Sequence, residues 1–282
     1  MRCAWRSFID LLPLWMRDFV DQQGRDTLQE LRLRVNAPPL LRLKDSTLTM
    51  SRSVASEDLI FCVNMVTKYS PWSVSTAPKC YFTAPGGHRV GLCGIVSVSN
   101  GQVVGVRNVT SLCIRIARDF PGIAKEMSCL SGSVLILGKP GSGKTTLLRD
   151  YIRLLSTNCD NNVTVVDERQ EIFPYFGGAF CFETGKNTDV ISGCDKATGI
   201  EAALRNTGPS TIAVDEITAA DDCAALLHAG WCGVDLIATA HAGSRSDLFT
   251  RSVYRPIVES HLFDHLLIMH PDKTWHIERM IQ

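Results

Sequence analysis

A glycine-rich segment near the middle of the chain constrains the fold more than any other feature of the sequence. Residues 138–145 match the pattern G-x-x-x-x-G-K-[ST]. The apolar run 133–137 precedes them, and residues 146–155 follow with apolar side chains at helical spacing. A strand, a glycine-rich turn and a helix in this order bind phosphates, because the glycines let the backbone wrap the anion and the helix N-terminus presents unpaired N–H groups. A glycine-rich turn without a nucleotide is the alternative, and the flanking strand and helix argue against it.

The residue types of this loop also predict individual roles. Lys144 supplies positive charge to the phosphates, and the hydroxyl of Thr145 is a ligand for Mg²⁺. The predicted nucleotide-binding residues are Gly138, Lys139, Pro140, Gly141, Ser142, Gly143, Lys144, Thr145 and Thr146.

Length and composition limit the class of protein. A chain of 282 residues is long enough for two domains of about 150 residues each. An apolar content of 45% and a charged content of 21% are typical of a globular protein. The net charge is zero, so no overall positive field favours nucleic acid, and we expect no nucleic-acid partner.

The cysteines and the apolar segments predict a compartment. Eleven scattered cysteines with no C-x-x-C pair argue against a structural zinc site and for reduced thiols in a cytoplasm. The first residues are charged and amphipathic, which is not typical of a secretory signal. No run of about 18 apolar residues is present, so we expect no membrane span.

The two halves of the chain differ in pattern. Residues 1–120 predict a small α+β domain. Its predicted strands are 28–35, 40–43, 79–83, 90–97, 103–106 and 112–118, and a helix is predicted at 57–69. Asn100 and Gly101 predict a hairpin turn. In residues 121–282 apolar strands at 134–137, 163–166, 211–214, 236–239 and 266–269 alternate with helices, which favours a parallel sheet covered on both faces. The predicted fold class is therefore α/β, with a P-loop RecA-like parallel sheet core preceded by a smaller α+β domain.

Polar residues at the ends of three strands are candidates for the chemistry, since ligands bind at the carboxyl edge of a parallel sheet. Asp215 and Glu216 end one strand as a Walker B element would, with Asp215 at Mg²⁺ and Glu216 orienting or deprotonating water. Asp167 and Glu168 end another strand and add to the Mg²⁺ shell, unless they belong to a solvated loop. His241 ends a third strand and senses a γ-phosphate, unless it is a plain polar residue at a helix entry.

Missing motifs exclude several classes of P-loop protein. A GTPase would carry N-K-x-D, which is absent, so adenine is favoured and ATP is the predicted nucleotide. An ABC-type ATPase would carry L-S-G-G-Q after the loop, and this segment is absent there. A small-molecule kinase would carry an arginine-bearing lid, and no such insertion stands out in the sequence. Oligomeric RecA-like motors remain, in which a neighbouring subunit contributes a positive finger. Arg107, Arg115 and Arg118 are the candidates, and a solvated strand face is the alternative.

Seven segments together resemble the stage III sporulation protein AA family, within the secretion-type (type II/type IV) traffic ATPases. They are LRLRV (31–35), GHRVG (87–91), RNVTSLCIRIAR (107–118), GSGKTTLLRD (141–150), VDER (166–169), VDEI (214–217) and ATAH (238–241). The resemblance implies a hexameric ATPase in the mother-cell cytoplasm of endospore-forming bacteria. There it would energise a secretion-like channel between mother cell and forespore, together with membrane-embedded components.

The resemblance also implies roles for single residues. Asp167 and Glu168 fall in the family's Asp box, His241 in its His box, and Arg115 and Arg118 near its inter-subunit arginines. The chain departs from the family pattern at Asn187, where an arginine is expected, and at 209–211, which read P-S-T in place of P-D-V. The first departure would remove a sensor contact and would affect hydrolysis more than binding.

Three hypotheses of function follow from these patterns. The leading one is an ATP-hydrolysing hexameric motor for a trans-envelope complex, located in the cytoplasm at the inner face of a membrane. The second is a nucleotide-gated scaffold that assembles with little hydrolysis. The third is a RecA-like nucleic-acid translocase, against which the zero net charge argues.

Overall fold

The computed structural model describes residues 1–68, 80–158 and 161–280. The chain divides into two compact units, one of Met1–Asp119 with Pro174–Phe182 and one of Phe120–Phe173 with Glu183–Gln282. The segment Pro174–Phe182, which the sequence placed in the second domain, therefore groups with the first unit. Tyr69 and Lys79, at the ends of a predicted helix and a predicted strand, lie outside the described residues.

The first unit is built on an antiparallel sheet in the order β3-β2-β1-β6-β5-β4. Its strands are β1 (Leu28–Arg34), β2 (Leu40–Leu43), β3 (Thr47–Thr49), β4 (Tyr81–Thr83), β5 (Arg89–Ser99) and β6 (Gln102–Arg115). Its helices are α1 (Trp5–Asp10), α2 (Leu14–Gln23) and α3 (Ser56–Thr67). Apolar residues of the helices and of the inner sheet positions form one buried cluster.

The hairpin between β5 and β6 confirms one prediction and corrects another. Asn100 and Gly101 have φ values of 50° and 77°, as a tight two-residue turn requires, and Ser99 pairs with Gln102. The separate strands predicted at 103–106 and 112–118 are one long strand, which ends at Arg115. The register of the β5–β6 pair is irregular between Cys93 and Ile95.

The second unit contains a seven-stranded sheet in the order β11-β8-β12-β13-β7-β14-β15. Its first strands are β7 (Val134–Leu137) and β8 (Val163–Asp167). The chain then passes through a short hairpin of the first unit, β9 (Tyr175–Phe176) and β10 (Ala179–Phe180), before it returns as β11 (Thr188–Ser192). The remaining strands are β12 (Thr211–Val214), β13 (Asp235–Ala240), β14 (His265–Met269) and β15 (Trp275–Arg279).

Neighbouring strands of this sheet run parallel except for the last pair, β14 and β15, which is antiparallel. The helices are α4 (Lys144–Asn158), α5 (Lys196–Asn206), α6 (Ala220–Trp231), α7 (Arg245–Thr250) and α8 (Arg255–Glu259). All residues of β7, β8 and β12 are buried, because helices cover the sheet on both faces. The predicted strands 134–137 and 211–214 agree to the residue, and the predicted parallel sheet is confirmed for six of the seven strands.

The strand order positions the candidate site. Strand β13 lies between β7 and β12, so the carboxyl ends of these three strands are adjacent. The glycine-rich loop follows β7, Asp215 follows β12, and His241 follows β13. No helix among residues 1–68, 80–158 and 161–280 combines the length and apolarity needed to cross a bilayer.

Candidate nucleotide-binding site

The glycine-rich loop has the backbone that a phosphate cradle requires. Gly141 and Gly143 have φ values of 79° and 103°, in the left-handed region that favours glycine, and α4 begins directly after them. A Cβ on Gly138 would lie 2.5 Å from the Oγ of Ser142, so glycine is needed for the loop to close. The Ser142 Oγ is buried and has no hydrogen-bond partner within the described part of the chain. Because buried polar groups are normally paired, the loop fits an anionic oxygen ligand.

Lys144 is the first residue of α4 and is only 5% exposed. Its Nζ donates to the carbonyl oxygens of Gly138 over 2.9 Å and of Lys139 over 3.1 Å. Burial lowers the pKa of Lys144, and the nearby Asp215 and Glu216 act in the opposite direction. The ammonium group therefore points into the loop that it is predicted to serve.

His241 connects this lysine with the predicted catalytic carboxylate. Its Nδ1 lies 3.0 Å from Lys144 Nζ, and its Nε2 lies 2.7 Å from Glu216 Oε1. Since an ammonium group can only donate, Nδ1 is the acceptor and the ring proton is on Nε2, where it is donated to the carboxylate. The other Glu216 oxygen lies 3.5 Å from Arg169 Nη1. Lys144, His241 and Glu216 thus form a continuous hydrogen-bonded chain across the ends of β7, β13 and β12.

Asp215 is held between two hydroxyl groups. Thr145 Oγ1 donates to its Oδ2 over 2.7 Å, and Thr239 Oγ1 donates to its Oδ1 over 2.5 Å. The structure therefore brings together Thr145 and Asp215, two of the three residues predicted to ligate Mg²⁺. Oxygen atoms of a hydroxyl and a carboxylate are the donor set that suits a hard divalent cation, so the residues present fit Mg²⁺.

Glu216 has an unusual backbone conformation. Its φ is +57°, which is rare for a residue other than glycine and carries a conformational cost. Its N–H donates to Thr239 Oγ1 over 2.8 Å, and the next N–H, of Ile217, donates to Thr239 O over 2.9 Å. Thr239 is not among the predicted site residues, although a threonine inside an apolar strand is a signal for such a role.

Asp167, predicted to add to the Mg²⁺ shell, is engaged by the loop that follows it. It is 2% exposed, and its oxygens accept hydrogen bonds from the backbone N–H groups of Glu171 (2.9 Å), Ile172 (3.0 Å) and Phe173 (2.8 Å). Burial raises the pKa of Asp167 to about 6, against the lowering effect of the N–H groups of Phe173 and Ile172. Because both oxygens are used by the following loop, the carboxylate shapes that loop.

Glu168 lies against a lysine that the sequence analysis did not single out. Glu168 Oε2 is 2.8 Å from Nζ of Lys196, the first residue of α5. A cavity of about 20 Å³, large enough for a water molecule, lies at this point. It is lined by Val166, Asp167, Glu168, Arg169, Glu171, Lys196, Asp215 and Glu216. The predicted Glu168, Asp215 and Glu216 therefore line one acidic cavity.

A second, wider concavity of the second unit lies elsewhere. It is an open groove of about 860 Å³ between α5 and α6, and its lining includes Glu201, Arg205, Asp221 and His228. None of the predicted site residues lines it. The site is therefore assigned from the chemistry at the strand ends and not from the size of a pocket.

A family comparison is consistent with this geometry. The model of the family described as "Sporulation stage III, protein AA" matches residues 7–278. The chain belongs to this family. It is 38% identical over 273 residues to the stage III sporulation protein AA of Bacillus subtilis (strain 168), covering 92% of this chain and 88% of that protein.

Two solved structures resemble the fold of this family member. The pilus retraction motor PilT with bound ADP superposes with a TM-score of 0.60 at 15% identity, covering 89% of this chain and 76% of that one. The Legionella pneumophila ATPase DotB superposes with a TM-score of 0.56 at 17% identity, covering 95% and 80%. The predicted α/β class with a RecA-like core is therefore confirmed by the shared fold, and the family match confirms the predicted resemblance to the stage III sporulation protein AA family.

The two predicted inter-subunit arginines lie in the first unit and differ in their surroundings. Arg115 is largely exposed, with its Nε 3.4 Å from Glu30 Oε2. Arg118 donates to the carbonyl oxygens of Arg25, over 2.8 Å, and of Leu28. Arg118 thus holds the backbone ahead of β1, whereas most of the Arg115 side chain is exposed to solvent. The third candidate, Arg107, is exposed on β6.

Asn187, the departure from the family pattern, lies at the opposite end of the sheet from the loop. Its carbonyl oxygen accepts from the N–H of Val163, the first residue of β8. Asn187 therefore lies at the amino edge, whereas Gly138 and Asp215 lie at the carboxyl edge of the same sheet, and the effect of this departure on hydrolysis stays a prediction.

Proposed function

We propose that this protein is an ATP-hydrolysing oligomeric motor that energises a trans-envelope channel during endospore formation. The observation that carries the proposal is the convergence of Lys144, Thr145, Asp215 and Glu216 at one edge of the parallel sheet. It is supported by the membership of the sporulation family and by the fold that the chain shares with PilT and DotB. A hexamer is proposed from the family resemblance.

Each residue has a stated part in the proposed reaction. The loop from Gly138 to Thr146, with Lys144, would hold the phosphates of ATP. Thr145 and Asp215 would hold Mg²⁺, which when bound supplies positive charge to the phosphate oxygens. Glu216 would orient or deprotonate the attacking water, and Glu168 would act beside it in the shared cavity.

His241 would sense the occupied site. Its two ring nitrogens contact Lys144 and Glu216, so any change at the ammonium group is passed to the carboxylate. We propose that Arg115, and Arg118 once released from its backbone contacts, would serve a neighbouring subunit. The membrane-embedded components of a secretion-like complex would be the partners, with the motor on the cytoplasmic side.

The test is the turnover of Mg·ATP by the purified protein. Glu216→Gln is expected to bind ATP but release no phosphate, and Lys144→Ala is expected to lose nucleotide binding. Unaltered turnover by Glu216→Gln would refute its role, and retained micromolar affinity in Lys144→Ala would refute the role of the loop.

Sharing of the site between subunits has a separate test. A Glu216-defective subunit is mixed with one that lacks Arg115 and Arg118, and recovered turnover is expected only if neighbours complete each other's sites.

A nucleotide-gated scaffold is the second candidate. The observation that favours it is the engagement of Glu216 with both His241 and Arg169, since each carboxylate oxygen already contacts a side chain. Oligomer size and phosphate release are measured together with ATP present. Assembly without phosphate release would select the scaffold.

A further inference from the structure

Lys196 is a buried lysine in an unfavourable location. It is 5% exposed, and burying a charge is costly unless the charge is paired. It is also the first residue of α5, after the N-cap Asp195, where the positive end of the helix dipole repels a cation. Neither burial nor helix stability therefore explains a lysine at this position.

The partners of Lys196 explain it better. Its Nζ lies 2.8 Å from Glu168 Oε2 and 3.9 Å from Asp222 Oδ2. The Asp222 oxygen also accepts hydrogen bonds from the backbone N–H groups of Thr218 (2.9 Å) and Ala219 (3.0 Å). Lys196 thus connects the residue after β8 with the carboxylate that anchors the loop following Glu216.

The surrounding charge makes this connection important. The small cavity beside Lys196 is lined by five carboxylate side chains and by two cationic ones, Lys196 and Arg169. The Arg169 side chain is half-exposed and Lys196 is buried, so Lys196 is the less screened of the two. Without it, Arg169 would be the only cationic residue among those that line the cavity with Glu168, Asp215 and Glu216.

We propose that Lys196 is the positioning residue of the candidate site: it fixes the Glu168 carboxylate toward the cavity shared with Asp215 and Glu216. It acts through Glu168 and does not itself contact the nucleotide. The inference rests on the proposed ATPase function and deepens it, since it assigns Glu168 its support.

The test separates positioning from folding by comparing kcat with KM. Lys196→Met is expected to lower kcat roughly 10–100-fold while KM for Mg·ATP changes by less than about threefold. Lys196→Arg, which keeps the charge, is expected to recover most of the lost kcat. Lys186→Met is the matched control, because Lys186 is exposed in the same unit and is expected to leave kcat unchanged.

A double variant tests the pairing. Glu168→Gln is expected to lower kcat by a similar factor, and Lys196→Met combined with Glu168→Gln is expected to be no slower than either single variant. Fully multiplied losses, or a kcat of Lys196→Met within threefold of the unaltered protein, would overturn the proposal.

The failure of the proposed function has a different signature. If the unsubstituted protein releases no phosphate from Mg·ATP, the ATPase function is refuted, whatever the result for the Lys196 variants. In that case urea unfolding of the same single and double variants tests the pairing. Non-additive losses of unfolding free energy would support the Lys196–Glu168 contact, and additive losses would refute the contact together with the ATPase function.

Discussion

Thr145 and Asp215 are in direct contact, with the threonine Oγ1 donating to the aspartate Oδ2 over 2.7 Å. Thr239 donates to the other oxygen of the same carboxylate. The carboxylate is therefore oriented by the helix that follows the glycine-rich loop and by the strand between β7 and β12. Thr145 and Asp215, both predicted Mg²⁺ ligands, already lie side by side. A bound cation would replace the hydrogen bond between them, and no helix or strand would have to move.

Asp215→Asn is expected to remove the Mg²⁺ dependence of nucleotide binding. The amide keeps the volume of the side chain but removes the charge that a hard cation requires. Affinity for ATP in the presence of Mg²⁺ should fall roughly 10–100-fold, and affinity without Mg²⁺ should change little. Titration of a fluorescent nucleotide at several Mg²⁺ concentrations measures both. Asp221→Asn, an exposed change on the first turn of α6, is the control, and equal behaviour of the two variants would contradict the assignment.

Thr239→Val is expected to destabilise the protein and to slow turnover. The substitution keeps the shape at the fully buried position 239 but leaves the N–H of Glu216, a half-buried residue, without its partner. An unpaired buried donor costs about 1–3 kcal/mol of unfolding free energy. Equilibrium unfolding in urea measures this loss. Thr239→Ser, which keeps the hydroxyl, should be affected less; a serine variant as unstable as the valine variant would point to lost packing instead.

Asp167→Asn is expected to destabilise the loop that follows β8. The N–H group of Glu171 donates to one carboxylate oxygen and those of Ile172 and Phe173 donate to the other, so an asparagine side chain would turn its NH₂ group toward at least one of these donors. The expected loss is about 1–3 kcal/mol, measured by urea unfolding. Asp189→Asn on the exposed face of the edge strand β11 should be neutral. A neutral Asp167→Asn would show that the loop does not depend on the carboxylate.

His88 predicts a loss of stability in mild acid. Burial lowers the pKa of His88 from 6.5 to about 4, and its Nε2 lies 3.1 Å from the carbonyl oxygen of Ala4. Below pH 6.5 the unfolded chain takes up a proton that the folded chain does not, so the unfolding free energy falls as the pH falls toward 4. The full difference amounts to about 3 kcal/mol.

Urea unfolding at several pH values between 7.5 and 4 measures this loss. His88→Gln cannot titrate and is expected to show a flatter dependence over the same range. If the slopes of the two proteins coincide, His88 does not account for the sensitivity to acid.

The central strands could be predicted from the sequence because their burial has a simple signature. A strand covered on both faces is a continuous apolar run, and 134–137 and 211–214 were found in this way. The edge strands β11 and β15 were missed, because they are only partly buried and carry charged residues. Their pairing, and not their composition, makes them strands.

Only those residues of the site that belong to sequence motifs could be predicted. The residues of the glycine-rich loop, Asp215, Glu216 and His241 follow from patterns along the chain. Lys196 could not be found in this way, because its role depends on its contact with Glu168. Only the tertiary structure brings Lys196 Nζ within 2.8 Å of Glu168 Oε2. The hydrogen bonds of Asp167 could not be predicted for the same reason: its backbone partners become visible only when the loop is folded.

The assignment of Pro174–Phe182 to the first unit has a consequence for how the chain is made. The backbone passes between the units after Asp119, after Phe173 and after Phe182. During translation the N-terminal unit is consequently incomplete until this segment leaves the ribosome, long after its own sheet has been synthesised. Gly87 would then lack its neighbour Pro174, so a nascent fragment ending near residue 119 exposes a surface that the finished protein covers. The N-terminal unit is therefore synthesised first but cannot complete its folding before residues 174–182 have been synthesised.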